Sequence, residues 1–242
     1  MKKTLLTASM GAALICSPLA MAGDYYLKGG IGYVSTVDEE TSAFPVDDFM
    51  EIEDAVTKVD FEADGGASLS VGLGVKINKF ITTEFTLQHN LGSDLNGDIK
   101  INGETIAELA EDSDLYFTMD GEVKTTSIMA TALVDVAALA EKNWSIKPYA
   151  GLGLGYAKNS LGTLTMRTNI EGGGEVSGSG GDDSGLAWKV VAGAVFPIDN
   201  NLSIDASYQY ADYGSVKLVD DSDEVDLDVS AHEFTVGIRY SF

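Results

Sequence analysis

Cysteine, histidine and proline are scarce in this chain: its 242 residues hold one cysteine, two histidines and four prolines. Cys16 lies in a leader-like start, so the rest of the chain has no disulfide framework and no thiol nucleophile. His89 and His232, far apart in sequence, offer little for metal or acid–base chemistry. Positive charge is thin as well: 15 Lys and Arg stand against 38 Asp and Glu, for a net charge of −23. Such a chain lacks the cations that displace counterions from phosphate, which excludes nucleic acid as a partner. Long hydrophobic runs are also missing. The best, "IMATALVDVAALA", falls short of the roughly 18 residues of a membrane helix and carries Asp135 in its middle.

The start reads as a secretory signal peptide over 1–22. Met1-Lys2-Lys3 supplies a positive region, "TLLTASMGAALIC" a short apolar one, and Ala20-Met21-Ala22 an A-x-A cleavage site. Ile15, bulky and directly before Cys16, argues against a lipoprotein signal. Residues 23–242 are then the mature domain, without a cysteine.

What the chain has in abundance is period-two alternation, the mark of a strand with two different faces. Eight runs show it: 24–34, 67–78, 80–91, 124–137, 144–157, 186–197, 202–212 and 231–242. Each is close to the roughly 9–11 residues that cross a bilayer as a tilted strand. One face is bulky and apolar, with Leu27, Ile31, Val71, Leu87, Ile128, Leu152, Leu154, Val190, Phe234 and Ile238. The other carries Lys28, Lys76, Glu84, Asp135, Lys147, Lys189, Asp205, Glu233 and Arg239. Glycines 30, 32, 72, 74, 151, 153, 155, 193 and 237 share the charged parity.

Alternating strands fit either a soluble β protein with an apolar core or a membrane barrel with lipid outside. Small residues on the polar face favour the membrane barrel, because a soluble core of this size needs bulk inside. Aromatics near the run ends favour it too. Tyr25, Trp144, Phe196 and Phe242 mark one edge, and Tyr33, Tyr156, Trp188 and Tyr210 the other, as interfacial girdles do. Connections alternate short and long, with 35–66, 92–123, 158–185 and 213–230 the long ones. The expectation is an all-β, eight-stranded, antiparallel up-and-down transmembrane barrel with short periplasmic turns and long extracellular loops. An open edge in lipid strands backbone groups, so the first run must pair with the last. An eight-stranded interior is filled by side chains, so the nine charges are expected to pair and plug it.

The long connections hold 30 of the 38 acids and few cations, Lys58, Lys100, Arg167 and Lys217 among them. That makes an acidic crown suited to solvation, or to divalent cations or a basic partner. "DLNGDIKINGE" misses the calcium-loop spacing, since Ile99 takes the glycine position and Thr105 that of the bidentate Glu. Its two Asn-Gly pairs, and Asp120-Gly121, predict hairpin tips. The segment 171–185 reads as a flexible linker and 104–112 as a turn or two of helix.

No catalytic, cofactor-binding or metal-ligating set emerges. "GLGLGYAK" has Tyr156 at the sixth position of a dinucleotide fingerprint and lies within a strand. Both histidines are expected on the lipid face near the outer edge. A lipid A-modifying barrel uses such a His with a nearby Ser, but Phe234 stands two residues after His232.

"DYYLKGGIGY", "KPYAGLGLGYAKN", "LSIDASYQYADYG" and "HEFTVGIRYSF" together resemble the outer-membrane β-barrel family, the OmpA-like and opacity-protein-like small surface barrels of Gram-negative bacteria. The resemblance covers essentially the whole mature chain. It implies contact with outer-membrane lipid and lipopolysaccharide, and a C-terminal signal, Tyr240 and Phe242, read by the outer-membrane assembly machinery. It implies a non-catalytic surface scaffold whose acidic loops serve adhesion or host contact. A narrow porin-like channel and, further off, a lipid A-modifying enzyme are the alternatives.

Overall fold

The structure is a computed structural model that describes residues 24–36, 39–41, 57–63, 65–101, 104–105, 117–142, 144–168, 174–178, 180–219 and 224–242. The leader, with Cys16 and its cleavage site, lies outside the described residues, as does most of the segment expected to be helical. In chain order the elements are β1 (Tyr25–Thr36), β2 (Glu39–Thr41), β3 (Thr57–Ala63), β4 (Gly66–Lys76), β5 (Ile81–Asn90), β6 (Ser93–Ile101) and β7 (Glu104–Thr105). There follow β8 (Phe117–Asp135), α1 (Val136–Leu139), β9 (Lys147–Leu161), β10 (Leu164–Thr168), β11 (Glu175–Gly178), β12 (Asp182–Pro197), β13 (Leu202–Val219) and β14 (Glu224–Ser241).

Eight of these strands close a ring. Going round, β1 pairs with β4, then come β5, β8, β9, β12, β13 and β14, and β14 pairs back onto β1 from Tyr26↔Ser241 to Thr36↔Ala231. Every pairing is antiparallel, and each expected run overlaps one strand of this ring. No backbone edge is left open through the wall, as lipid requires.

Burial along the wall is inverted relative to a soluble protein. Leu154 is 72% and Ile31 67% exposed, whereas Asp205 and Glu233 are fully buried. In water that arrangement would be unstable on both counts, because it exposes apolar area and buries charge. Lipid outside and paired polar groups inside reverse the sign of both terms. No helix among the described residues is long and apolar enough to span a bilayer.

At one end the connections are tight, and two use the same device. The Asn78 side-chain oxygen accepts the N–H groups of Phe80 (2.8 Å) and Ile81 (2.9 Å). An Asp199 carboxylate oxygen accepts those of Asn201 and Leu202, both at 2.8 Å. Each replaces a missing ladder bond with a side-chain one. The third connection holds α1. Its N-cap is Asp135, whose carboxylate accepts the Ala138 N–H at 2.9 Å. The fourth run therefore ends one residue before Val136, and Asp135 caps a helix instead of facing the lumen centre.

At the other end strands continue past the rim. β6 extends the line of β5 after a kink at Gly92 (φ 127°), and β10 extends that of β9. Both pair with the upper part of β8, and β3 with β2 outside it extend the leaf on the β6 side, as β11 does beyond β10. This corrects three expectations. Asp120-Gly121 and Asn96-Gly97 lie inside β8 and β6, opposite each other, because neighbours on both sides hold them extended. Asn102-Gly103 lies outside the described residues, between the paired Ile101 and Glu104. The glycine-rich segment 171–185 contains β11 and the start of β12, since Gly178 and Glu175 gain ladder partners on β10.

Candidate functional site: the filled lumen

Two side-chain layers cross the barrel interior. The first lies toward the short-turn end and is ionic. Asp205 on β13 takes the Lys28 amine of β1 at 2.7 Å and the Arg239 guanidinium of β14 at 2.5 Å. Glu84 on β5 stands 3.9 Å from each of the same two cations. Two tyrosines complete the carboxylate shells: Tyr26 donates to Glu84 at 2.6 Å and Tyr149 to Asp205 at 2.8 Å. The Arg239 guanidinium also stacks over the Tyr26 ring, 3.9 Å from its centroid. Charge, hydrogen bonds and cation–π contact thus converge on four ions from four strands.

The second layer is nearer the long-loop end and is built of amides. Glu233 accepts from Gln88 and Gln209 (2.5 Å each), from the Tyr213 hydroxyl (2.5 Å) and from Asn90 (3.4 Å). Lys189 donates to Gln209 at 3.2 Å. Asn159 ties this layer to the wall, accepting from Thr125 and donating to the Tyr213 carbonyl. The two layers hold Lys28, Lys189 and Arg239 against Glu84, Asp205 and Glu233, so the filling is neutral overall. A cavity of about 20 Å³ separates them, lined in part by Lys28, Glu84, Gln88, Lys189 and the partnerless hydroxyl of Thr131, with room for about one water.

The glycines of the charged parity now have a use. A Cβ on Gly74 would collide with the Tyr26 ring. On Gly193 it would come within 2.5 Å of the Tyr149 ring, and on Gly153 within 2.8 Å of Lys189 and Thr131. The wall is thinned where the bulky members of the network lie.

Six of the nine expected lumen charges therefore sit in these layers: Lys28, Glu84, Lys189, Asp205, Glu233 and Arg239. The other three do not. Lys76 lies 3.8 Å from Asp24 at the short-turn mouth, Asp135 caps α1, and Lys147 is exposed at that mouth. They line a vestibule of about 370 Å³ there, with Asp24, Asp199 and Arg239. Sequence reasoning missed Tyr26, Tyr149, Tyr213, Gln88, Gln209 and Asn90. All but Tyr213, which lies just beyond the seventh run, share the charged parity within their runs, and that was the available signal.

Outside, Tyr25, Tyr33, Trp144, Tyr156, Trp188 and Phe196 are exposed and Tyr210 half-buried. Tyr25 stacks on Phe242 at 4.7 Å, and Trp188 contacts Tyr210 at 5.6 Å. His89 is hydrogen-bonded to Thr126 (2.8 Å) and His232 to the Tyr208 hydroxyl (2.6 Å). No group of three or more metal-ligating side chains occurs among the described residues.

A lipid-exposed wall around a neutral, hydrogen-bonded filling is the design of a small membrane barrel, and comparison with known proteins agrees. The family model for the outer membrane protein beta-barrel domain matches residues 5–242. The chain belongs to the outer-membrane β-barrel family. An outer-membrane barrel of this kind resides in the Gram-negative outer membrane. Among relatives of this barrel, an uncharacterized protein of Brucella abortus (strain 2308) is 24% identical, over 92% of this chain and 86% of its own. Outer membrane protein PagN of Salmonella typhimurium is 28% identical over 60% of this chain and 63% of PagN. The barrel superposes on the outer membrane protein OprG of Pseudomonas aeruginosa with a TM-score of 0.55 at 17% identity, covering 91% of this chain and 96% of OprG. A lesser likeness, TM-score 0.40 at 18% identity over 92% of this chain and all of the other, is to Ail, the attachment invasion locus protein of Yersinia pestis, solved with a heparin analogue.

Proposed function

We propose that this barrel is a non-catalytic membrane scaffold that displays acidic strands at the cell surface for adhesion to host or other surfaces. The observation that carries the reading is the neutral two-layer filling, in which the ionic layer pairs its charges with one another and side-chain amides hold Glu233 and Lys189, leaving the long-loop end as the part free to vary. The short-turn end then faces the periplasm and the long-loop end the exterior. The exposed aromatics anchor the wall at the two lipid interfaces, and lipopolysaccharide surrounds the outer one. Acid on the outer strands is dense enough to place like charges opposite each other, as at Asp60↔Asp98 and Asp94↔Glu122. Opposed like charges cost stability, so they suit a surface that is later neutralised by a partner. The histidines engage a threonine and a tyrosine, which supports structural roles for both. Cleavage after Ala22 and delivery through the outer-membrane assembly machinery complete the proposal; the mass of the purified chain checks the first.

Adhesion is tested with a deletion strain on host cells and abiotic surfaces. Binding that equals the parent strain sinks the reading. A second reading, a narrow diffusion channel, draws on the cavity between the layers and the vestibule below them. Planar-bilayer recordings with reproducible conductance would favour it.

A further inference from the structure

The β13–β14 hairpin outruns its neighbours. Among the described residues, β1 registers with β14 as far as Thr36↔Ala231, and β12 with β13 as far as Trp188↔Asp212. After a bulge at Gly214 (φ 74°) the two strands pair with each other, and with no other strand among the described residues, from Ser215↔Asp228 to Val219↔Glu224. Along β14, the edge from Glu224 to Ser230 has no strand beside it among the described residues. Alternate backbone N–H and C=O groups of that edge therefore have no ladder partner among the described residues.

The sequence of the edge, "EVDLDVS", has a period of two. Glu224, Asp226 and Asp228 occupy one face, and Val225, Leu227 and Val229 the other. Asp228 is exposed and Val229 is buried. β13 matches it with Val216 and Leu218 opposite Leu227 and Val225. Other open edges beyond the rim are shorter or less charged. β2 and β11 offer three and four residues, and the free edge of β13 reads "SVKLV".

An open edge with this alternation is selective. A second copy of the same strand would set acid opposite acid, which is destabilising. A strand with cations opposite the three acids and aliphatic residues opposite Val225, Leu227 and Val229 gains on both faces and completes the ladder. We propose that the Glu224–Ser230 edge binds, by strand addition, an extended peptide segment in which Lys or Arg alternates with aliphatic residues. The proposal rests on the surface-adhesion reading and names the chemistry of its partner.

The test uses the full chain folded in lipid vesicles and a fluorescent heptapeptide alternating Lys with Val, followed by anisotropy. Three control peptides share its length: one with its Lys and Val in blocks, one N-methylated at alternate residues, and one with Glu for Lys. The alternating peptide should bind at least about tenfold more tightly than each control. The D226K/D228K variant, its folding verified by the gel shift on heating, should lose about tenfold in affinity for it. Equal binding by the blocked or the N-methylated peptide would show charge attraction without strand pairing and overturn the proposal. If a deletion strain loses adhesion while the purified protein ignores the alternating peptide, the edge assignment falls and the adhesion reading stands. If the peptide binds as expected while deletion leaves adhesion unchanged, the edge assignment stands and the adhesion reading falls.

Discussion

Gly74 on β4 leaves the space that the ring of Tyr26 on β1 fills. A Cβ there would meet the ring, and the ring in turn carries the hydroxyl that holds Glu84 at 2.6 Å and the face on which Arg239 rests. Gly74→Ala should therefore cost about 1–3 kcal/mol by overpacking. In a Tyr26→Leu background most of that cost should vanish, since the two sites share one volume. Urea unfolding in lipid vesicles, followed by tryptophan fluorescence, reads both. Additive costs would show that the glycine serves something other than the ring.

Asp205 is the hub of the ionic layer, with Lys28, Arg239 and Tyr149 all within 2.8 Å. Asp205→Ala leaves two buried cations with Glu84 alone, and about 3–5 kcal/mol should be lost. Lys28→Met should cost less, because Arg239 still neutralises Asp205. The same Asp205 variant should raise single-channel conductance over the wild type if the layer is what blocks the lumen. Unchanged conductance would place the block in the amide layer around Glu233.

Tyr25 and Phe242 close the ring at the short-turn end, with stacked rings 4.7 Å apart and the Phe242 N–H on the Tyr25 carbonyl at 3.1 Å. Phe242→Ala should lower assembly in cells more than refolding yield in detergent, because the terminal aromatic is also proposed to be read by the assembly machinery. Heat-modifiability on gels, in membranes and after refolding, separates the two. Equal losses would leave only the packing role.

Asp199 contributes to the pH dependence. Its hydrogen bonds from the backbone N–H groups of Asn201 and then Leu202 hold its carboxyl below the ordinary 3.8. A folded value below the unfolded one adds stability that is present above the unfolded value and is lost as pH falls through the folded one. Asp199→Ala should thus cost more at neutral pH than in strong acid, where a protonated carboxyl keeps only uncharged hydrogen bonds, whereas Asp199→Asn, which still accepts both N–H groups, should remove this site's pH dependence. Unfolding curves at the two pH extremes decide it.

The ring of strands was legible because alternation survives any detail of packing. Leu27, Lys28 and Ile31 report two faces whatever lies beside them. Height along the barrel axis was not legible, because parity says which side a residue faces and nothing about its level. That is why Lys76 and Lys147 share a parity with Lys28 yet end at the mouth, and why Asp135 has the parity of a lumen charge yet caps α1. Tyr213 was invisible for a further reason: it is the first residue of the long connection 213–230, beyond the seventh run, and it reaches Glu233 at the bulge beside Gly214. Asp120-Gly121 failed in the opposite direction, since a dipeptide that turns in isolation stays extended when strands flank it on both sides.

The seam between β1 and β14 also sets a clock. The first strand is synthesised some two hundred residues before the partner that completes its ladder, so Lys28 waits for Arg239 and Asp205 until nearly all of the chain exists. Neither the wall nor its ionic filling can be finished piecemeal during synthesis. One edge of the first strand has β4 as a near partner, but the other stays unsatisfied until the last strand exists, and the ring and its plug are then completed together.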